Sequence, residues 1–416
     1  METRPHALTQ EIDAREAGFD PDRLQRITGH FKRYVDDGRL PGWLIAVSRA
    51  GRVAFLETYG LRDKEAGLPV EADTIFRIYS MTKPVTSVAV MLLWEEGAFE
   101  LTAPIGKFIP AFEKARVYVR GSAPNPLTAP VREPITIQHL LTHTSGLTYG
   151  FHHAHAVDEM YRARGFEIGW PAGVTLEAGV DVLAQVPLLF EPGSEWNYSN
   201  SHEVLGRLVE VVAGRPLDEF LEERIFAPLG MRDTAFWVRG EEARQRTAAL
   251  YAVHPSLPGP FRWDATGDQA FTKPSFLAGG GGLVSTAGDY HRFMRMLLGK
   301  GELDGVRLLA PRSVEYMTRN HLPGNADLAS FGRPLFSETT YAGVGFGFGV
   351  QVVVDPVRYG LPANPGEYAW GGAATTTFFI DPRDELMGIF MTQLMPSSTH
   401  PVRTELRQLV YSARVS

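Results

Sequence analysis

The chain has 416 residues, 44% of them hydrophobic and 21% charged, enough for one large or two ordinary globular domains. A net charge of −7 argues against a general nucleic-acid or anionic-membrane binder, and the absence of cysteine excludes disulfides, thiol nucleophiles and thiolate metal sites. Met1-Glu2-Thr3-Arg4-Pro5-His6 mixes acid and base and lacks an apolar core of roughly 7–15 residues, so no secretory signal is visible and a cytoplasmic location is expected.

The first predicted element is a helix: Asp20 can cap it, Pro21 suits its first turn and Gly38 can end it. Leu24, Ile27, Phe31, Tyr34 and Val35 form its apolar stripe. Strand patterns follow at Trp43 to Ser48 and Val53 to Tyr59, joined by Ala50-Gly51 as a hairpin. Val85 to Glu96 is apolar nearly all round and predicts a buried helix; its most apolar run, Val85 to Trp94, is too short to span a bilayer. Thr136 can cap a short helix through Leu141, Asn200 or Ser201 can start one ending near Gly214, and Pro216 to Phe226 has a helical pattern. Residues 115–132 and 252–276 are proline-rich and are expected as irregular surface loops.

The style changes near residue 275. Gly279 to Gly282 is a glycine run, and Thr286 can cap a helix with Asp289 three residues on. Strands are expected at Gly345 to Val354, Ala373 to Ile380 and Leu386 to Leu394, with Asp381-Pro382-Arg383-Asp384 as a turn, then a helix from about Val402 to Ser412. The pattern predicts an α+β chain. Residues 1–75 and 275–416 form an α/β layer, an antiparallel sheet flanked by helices; residues 76–274 form a mainly helical insertion, with the site between them.

Three elements carry chemistry. In Ser80-Met81-Thr82-Lys83 the serine and lysine lie one helical turn apart on a shared face, which can activate a hydroxyl without histidine. Tyr198-Ser199-Asn200 is the only Tyr-x-Asn in the chain. A phenolate between Ser80 and Lys83 could take the serine proton, and the lysine charge is expected to lower the tyrosine pKa. Trp370-Gly371-Gly372-Ala373 leads into a strand expected from Thr375 to Ile380; two glycines there allow close approach of a backbone or ligand. A strand-edge N–H beside the nucleophile can serve a developing oxyanion, an interaction worth ~3 kcal/mol.

In this order the three elements resemble the serine β-lactamase and penicillin-binding-protein superfamily, and in particular the class C β-lactamases and their esterase relatives. Leu140-Leu141-Thr142-His143-Thr144-Ser145-Gly146-Leu147, Pro228-Leu229-Gly230-Met231 and Gly281 to Thr286 look like further markers, and the likeness runs from about residue 25 to the C-terminus. The third motif of the β-lactamases begins with a lysine that holds a substrate carboxylate. Trp370 stands in its place, offering an apolar wall and one N–H donor, as in the family VIII carboxylesterases and a related acyltransferase.

The resemblance implies a serine carboxylesterase for esters of short acyl groups, with no cofactor and no metal. Its partner would be a small-molecule ester, not nucleic acid or membrane. Ser80 would be the nucleophile, Tyr198 and Lys83 the base pair in either assignment, and the N–H groups of Ser80 and Ala373 the oxyanion hole. Asn200, Trp370, Gly371 and Gly372 would contact substrate, Asn200 orienting it or Lys83. A helix starting at Ser80 adds a positive dipole end. Phe151, Trp170 and Phe271 are candidates for an apolar pocket. The alternatives are β-lactamase or D-amino-acid peptidase activity, acyl transfer to an alcohol, and a non-catalytic scaffold.

Other signals are weaker. No Gly-x-Ser-x-Gly elbow occurs, which removes the α/β-hydrolase reading. His152, His153 and His155 lack helical i, i+4 spacing, and His139 with His143 falls at the family-like segment, so both groups are expected to be structural. Gly279 to Gly282 lacks the Lys-Ser/Thr ending of a phosphate loop and is expected as a close-packed turn.

Overall fold

The computed structural model describes residues 7–167, 169–171, 173–333 and 341–415. Residues 1–6, where the sequence shows no apolar leader core, lie outside them. Eight strands form one antiparallel sheet in the order Val344–Phe346, Gln351–Val353, Tyr368–Gly371, Thr377–Asp381, Leu386–Met391, Gly42–Arg49, Arg52–Asp63, Leu68–Pro69. The two ends of the chain meet where Gly42–Arg49 pairs with Leu386–Met391, Leu44 opposite Met391 and Arg49 opposite Leu386. Among the described residues, no strand of this sheet comes from 70–343.

The strand period of two sorts side chains onto two cores. Trp43, Ile45 and Val47, with Phe379 and Phe390, face the helices Pro21–Asp36 and Val402–Ala413 through Phe31, Leu24, Leu406 and Val410. Leu44, Ala46, Phe378 and Ile389 face the larger core, which contains the helix Thr82–Glu95. That helix is buried on every side from Thr82 to Leu93, as its all-round apolar composition requires. Helix Ser201–Ala213 packs against it through Val204, Leu205 and Leu208. Asp20 accepts from the N–H groups of Asp22 and Arg23, Thr136 from His139 and Thr286 from Asp289, each in its expected capping place.

Several elements differ from expectation. Residues 115–132 hold a hairpin of Arg116–Ser122 and Asn125–Pro130; Pro126 and Pro130 disguise it, because a two-stranded ribbon is all edge and tolerates proline. Residues 252–276 include the strand Phe261–Arg262 and the helical turns Asp264–Gly267 and Asp268–Phe271. Gly345 to Val354 is two short strands around a turn, with Gly349 at φ +76°. The expected strand from Ala373 starts only at Thr377. Trp370 and Gly371 end the preceding strand, and Gly372 to Thr376 make a turn with Thr375 at φ +66°. The final expected strand stops at Met391; Leu394–Met395 instead pairs in parallel with Tyr251–Ala252. Pro216 to Phe226 is helical but loosens into a π turn at Glu222–Phe226. Among the described residues, no helix is long and apolar enough to cross a membrane.

Candidate active site

Strand Ile75–Arg77 pairs with Val284–Thr286 and carries the chain into the turn that presents Ser80. Tyr79 sits at φ +42°, a left-handed position that L side chains adopt only under constraint. The constraint is visible on both sides. Arg77, buried, donates to the carbonyls of Ala248 (2.7 Å) and Gly267 (3.0 Å), and its N–H donates to Gln393 Oε1 (3.0 Å). Tyr290 OH donates to the Met81 carbonyl at 2.9 Å. Ser80 itself lies in a 3-10 turn, Tyr79–Met81, that runs directly into the helix from Thr82.

Tyr198 OH donates to Ser80 Oγ at 2.6 Å, and Lys83 Nζ lies 3.2 Å from the same oxygen. Lys83 is fully buried and also donates to the Gly280 carbonyl at 2.7 Å. Its Nζ is 4.5 Å from the Tyr198 ring centre and 5.5 Å from that of Tyr149. Burial pulls the Lys83 pKa down from 10.5 to about 7, with the Glu203 charge pulling the other way. Tyr198 moves opposite to expectation. Burial pushes its pKa well up, the Glu203 charge adds to this, and its hydrogen bond to Ser80 only partly offsets it. The protonated phenol donates to Ser80 Oγ, and of the two candidate bases Lys83 is the one whose pKa is drawn toward neutrality.

The segment 140–147 scaffolds Tyr198. Asn197 N–H donates to the His143 carbonyl (2.9 Å), its side-chain amide donates to the Leu147 carbonyl (3.1 Å), and His143 Nδ1 bonds Ser199 Oγ (3.0 Å). The His143 ring packs 4.9 Å from that of Tyr198. His139 completes a capping box with Thr136, His155 accepts from the Val157 N–H, His153 meets Glu167 and His152 meets Thr148, so each has a local structural partner.

Trp370 reaches the site from the strand Tyr368–Gly371, its ring 5.4 Å from Tyr198. A β-carbon on Gly372 would run into the Ile78 carbonyl and the Thr376 hydroxyl. Only glycine lets this turn close on the segment carrying Ser80, and Ala373 then lines the same cavity wall. Gly371 has no such room either, because the Arg403 guanidinium lies over it and donates to the Gly372 carbonyl at 3.0 Å. Asn200 donates to the Thr148 carbonyl at 2.8 Å. Among the described residues, its Oδ1 has no hydrogen-bond partner, and Lys83 hydrogen-bonds Ser80 and Gly280 rather than Asn200.

Ser80 opens into a cavity of about 450 Å³ with Phe151, Phe166, Trp170, Phe236 and Phe276 in its walls. Trp170 and Phe276 stack at 4.4 Å, and Phe151 stacks on Tyr149 at 4.6 Å. Phe271 lies instead against the guanidinium groups of Arg77 and Arg244. Two further residues of the site escape a sequence reading, Tyr149 and Glu203. An acid in the first turn of a helix is an ordinary dipole-complementing placement, which hides Glu203.

The sequence profile of the family described as Beta-lactamase matches residues 27–412. An uncharacterized protein of Mycobacterium tuberculosis is 38% identical over 370 residues, covering 88% of each chain. Esterase EstB of Burkholderia gladioli is 31% identical over 409 residues, covering 93% of this chain and 95% of its own. Among solved structures, EstCE1, described as a hydrolase with promiscuous acyltransferase activity, superposes with a TM-score of 0.79 at 28% identity, covering 94% of this chain and 99% of its own.

Proposed function

The chain belongs to the β-lactamase family, as a serine hydrolase with esterase and acyltransferase relatives, and from that premise we propose that it is a carboxylesterase working through acyl-Ser80. The observation that carries the proposal is the placement of Ser80 Oγ between Tyr198 OH at 2.6 Å and Lys83 Nζ at 3.2 Å, at the wall of an apolar cavity. Neutral Lys83 takes the Ser80 proton as Oγ attacks the ester carbonyl. The backbone N–H groups of Ser80 and Ala373 receive the oxyanion. Tyr198 gives its proton to the departing alkoxide, and Lys83 passes its extra proton to the tyrosinate. In the second half a water proton goes to Lys83, the hydroxide adds to the acyl carbon, and the proton returns to Ser80 as the acid leaves.

The substrate class follows from the walls. Trp370 in place of a lysine leaves no cation at that position for a substrate carboxylate, which favours neutral esters. The aromatic side of the cavity suits the apolar alcohol, with a short acyl group at Ser80. The site lies between the sheet formed by both chain ends and the mainly helical middle, residues 76–274, which we take as two domains. Acyl transfer to an alcohol is the second reading, favoured by the EstCE1 likeness and by a cavity wall that disfavours water.

The test is hydrolysis of p-nitrophenyl butyrate beside nitrocefin, by the wild type and Ser80→Ala. Fast ester cleavage lost in the variant, with little nitrocefin turnover, supports the esterase. Rapid nitrocefin turnover makes it a β-lactamase. An added alcohol that captures the acyl group ahead of water makes it a transferase.

A further inference from the structure

Lys83 must be neutral to accept the serine proton, yet a free lysine is cationic at neutral pH. Beside it the protein buries an acid. Glu203 stands in the first turn of Ser201–Ala213 and is fully buried. Its carboxylate is held by the Tyr149 hydroxyl and the Gly280 N–H, and among the described residues it makes no ion pair with Lys83. It lines the same cavity as Ser80 and Tyr198.

Gly280 connects the two groups. Lys83 Nζ donates to its carbonyl at 2.7 Å, and the Glu203 carboxylate occupies the space a β-carbon on Gly280 would need. This position is glycine because the acid comes so close. The other titratable groups facing the pair carry no charge near neutrality. Burial raises the pKa of Tyr149 and Tyr198 well above the usual value, and it depresses the imidazoles of His143 and His202 well below theirs. Glu203 is the charge that acts on Lys83.

Resting on the esterase reading, we propose that Glu203 is a positioning residue acting through Lys83: its buried carboxylate, held against Gly280 on which Lys83 also rests, sets the pH at which the lysine becomes neutral. A carboxylate beside the ammonium leaves no isolated ion in the interior, so the acid favours the charged lysine and its removal favours the neutral one. Burial draws both groups toward the same range, Lys83 down to about 7 and Glu203 up to about 7, each opposed by the other's charge.

The pH dependence of kcat/KM for p-nitrophenyl butyrate tests this in wild type, Glu203→Gln and Glu203→Asp. The amide keeps the shape and removes the charge that raises the Lys83 pKa. The Lys83 limb should therefore move to lower pH by about one unit or more in Glu203→Gln, and stay in the wild-type range in Glu203→Asp. A folded Glu203→Gln enzyme with the wild-type limb overturns the proposal. If Glu203→Gln does not fold, carbon NMR of the wild type decides, with the Lys83 signal assigned through Lys83→Met. Coupled titration of Lys83 and Glu203 supports the proposal, and a Glu203 signal that titrates alone in the ordinary carboxylate range overturns it. Ser80→Ala separates the two levels: persistent turnover there removes the esterase reading itself, whereas a dead Ser80→Ala beside an unmoved Glu203→Gln limb removes only the role of Glu203.

Discussion

Two clusters of this molecule bury an acid with a base, and they are built differently. Under the C-terminal helix, Arg407 Nε donates to Glu367 Oε1 at 2.8 Å and its Nη1 to the Arg403 carbonyl at 3.1 Å. Tyr411 OH bridges Glu367 (2.6 Å) and Asp381 (2.8 Å), and Asn364 adds bonds to Asp381 and Asp384. Around Ser80, Lys83 donates to Ser80 and Gly280 while Glu203 is held by Tyr149 and the Gly280 N–H, so among the described residues the acid and the base are not bridged to each other. A saturated network can hold its charges permanently, because every lone pair is satisfied. An acid and a base buried near each other but not bridged keep their pKa values displaced, and the cost to stability is accepted where chemistry needs it. The difference separates scaffold from machinery without reference to any motif.

The contrast can be broken most forcefully at the unbridged pair. Ser80→Ala and Lys83→Met should each lower kcat/KM by at least about 10³-fold while leaving the melting temperature unchanged or raised. A cooperative loss of fold in Lys83→Met would place Lys83 with the scaffold. At the saturated end the pattern should invert. Glu367→Gln or Arg407→Met should lose about 3–5 kcal/mol in urea unfolding, because each leaves a buried charge unpaired, while the folded fraction keeps kcat/KM within a few-fold. Stability loss below about 1 kcal/mol would mean the network is not what holds that helix.

Gly372 lies between these extremes. Gly372→Ala must displace the Ile78 carbonyl or the turn, so a loss of about 1–3 kcal/mol is expected together with a roughly tenfold or larger fall in kcat. Wild-type kinetics would show that the close approach of this turn does not position the oxyanion donors.

The last expected effect is in stability against pH. Glu203 has its folded pKa raised from the ordinary 4.5 to about 7, so the folded state binds the extra proton and stability falls as pH rises across that window. Lys83 has its folded pKa lowered from 10.5 to about 7, so the unfolded state binds the extra proton and stability rises from about pH 7 to 10.5. The pair therefore contributes a minimum in stability near neutrality. The double variant Glu203→Gln, Lys83→Met should lose it, as measured by denaturant midpoints across pH; persistence of the dip would assign it elsewhere.

What the sequence disclosed follows the range of the interactions. Ser80 and Lys83 are legible because one helical turn joins them, and Asp20, Thr136 and Thr286 because a cap is a local event. Tyr198 and Trp370 became candidates through family-like motifs, although their spacing from Ser80 carries no geometric information. The direction of the Tyr198 pKa shift was not legible, since it depends on burial from several elements at once. Glu203 and Tyr149 meet Lys83 only through tertiary packing. The hairpin Arg116–Ser122 with Asn125–Pro130 hid behind its prolines, and the turn after Trp370 behind a continuous run of strand-forming residues from Thr375.

The most direct measurement is peptide mapping by mass spectrometry after a rapid acid quench of the enzyme turning over p-nitrophenyl butyrate. The account predicts a butyryl ester on the peptide containing Ser80, with none formed in Ser80→Ala. Turnover with the acyl group on another residue, or undiminished turnover by Ser80→Ala, would contradict it.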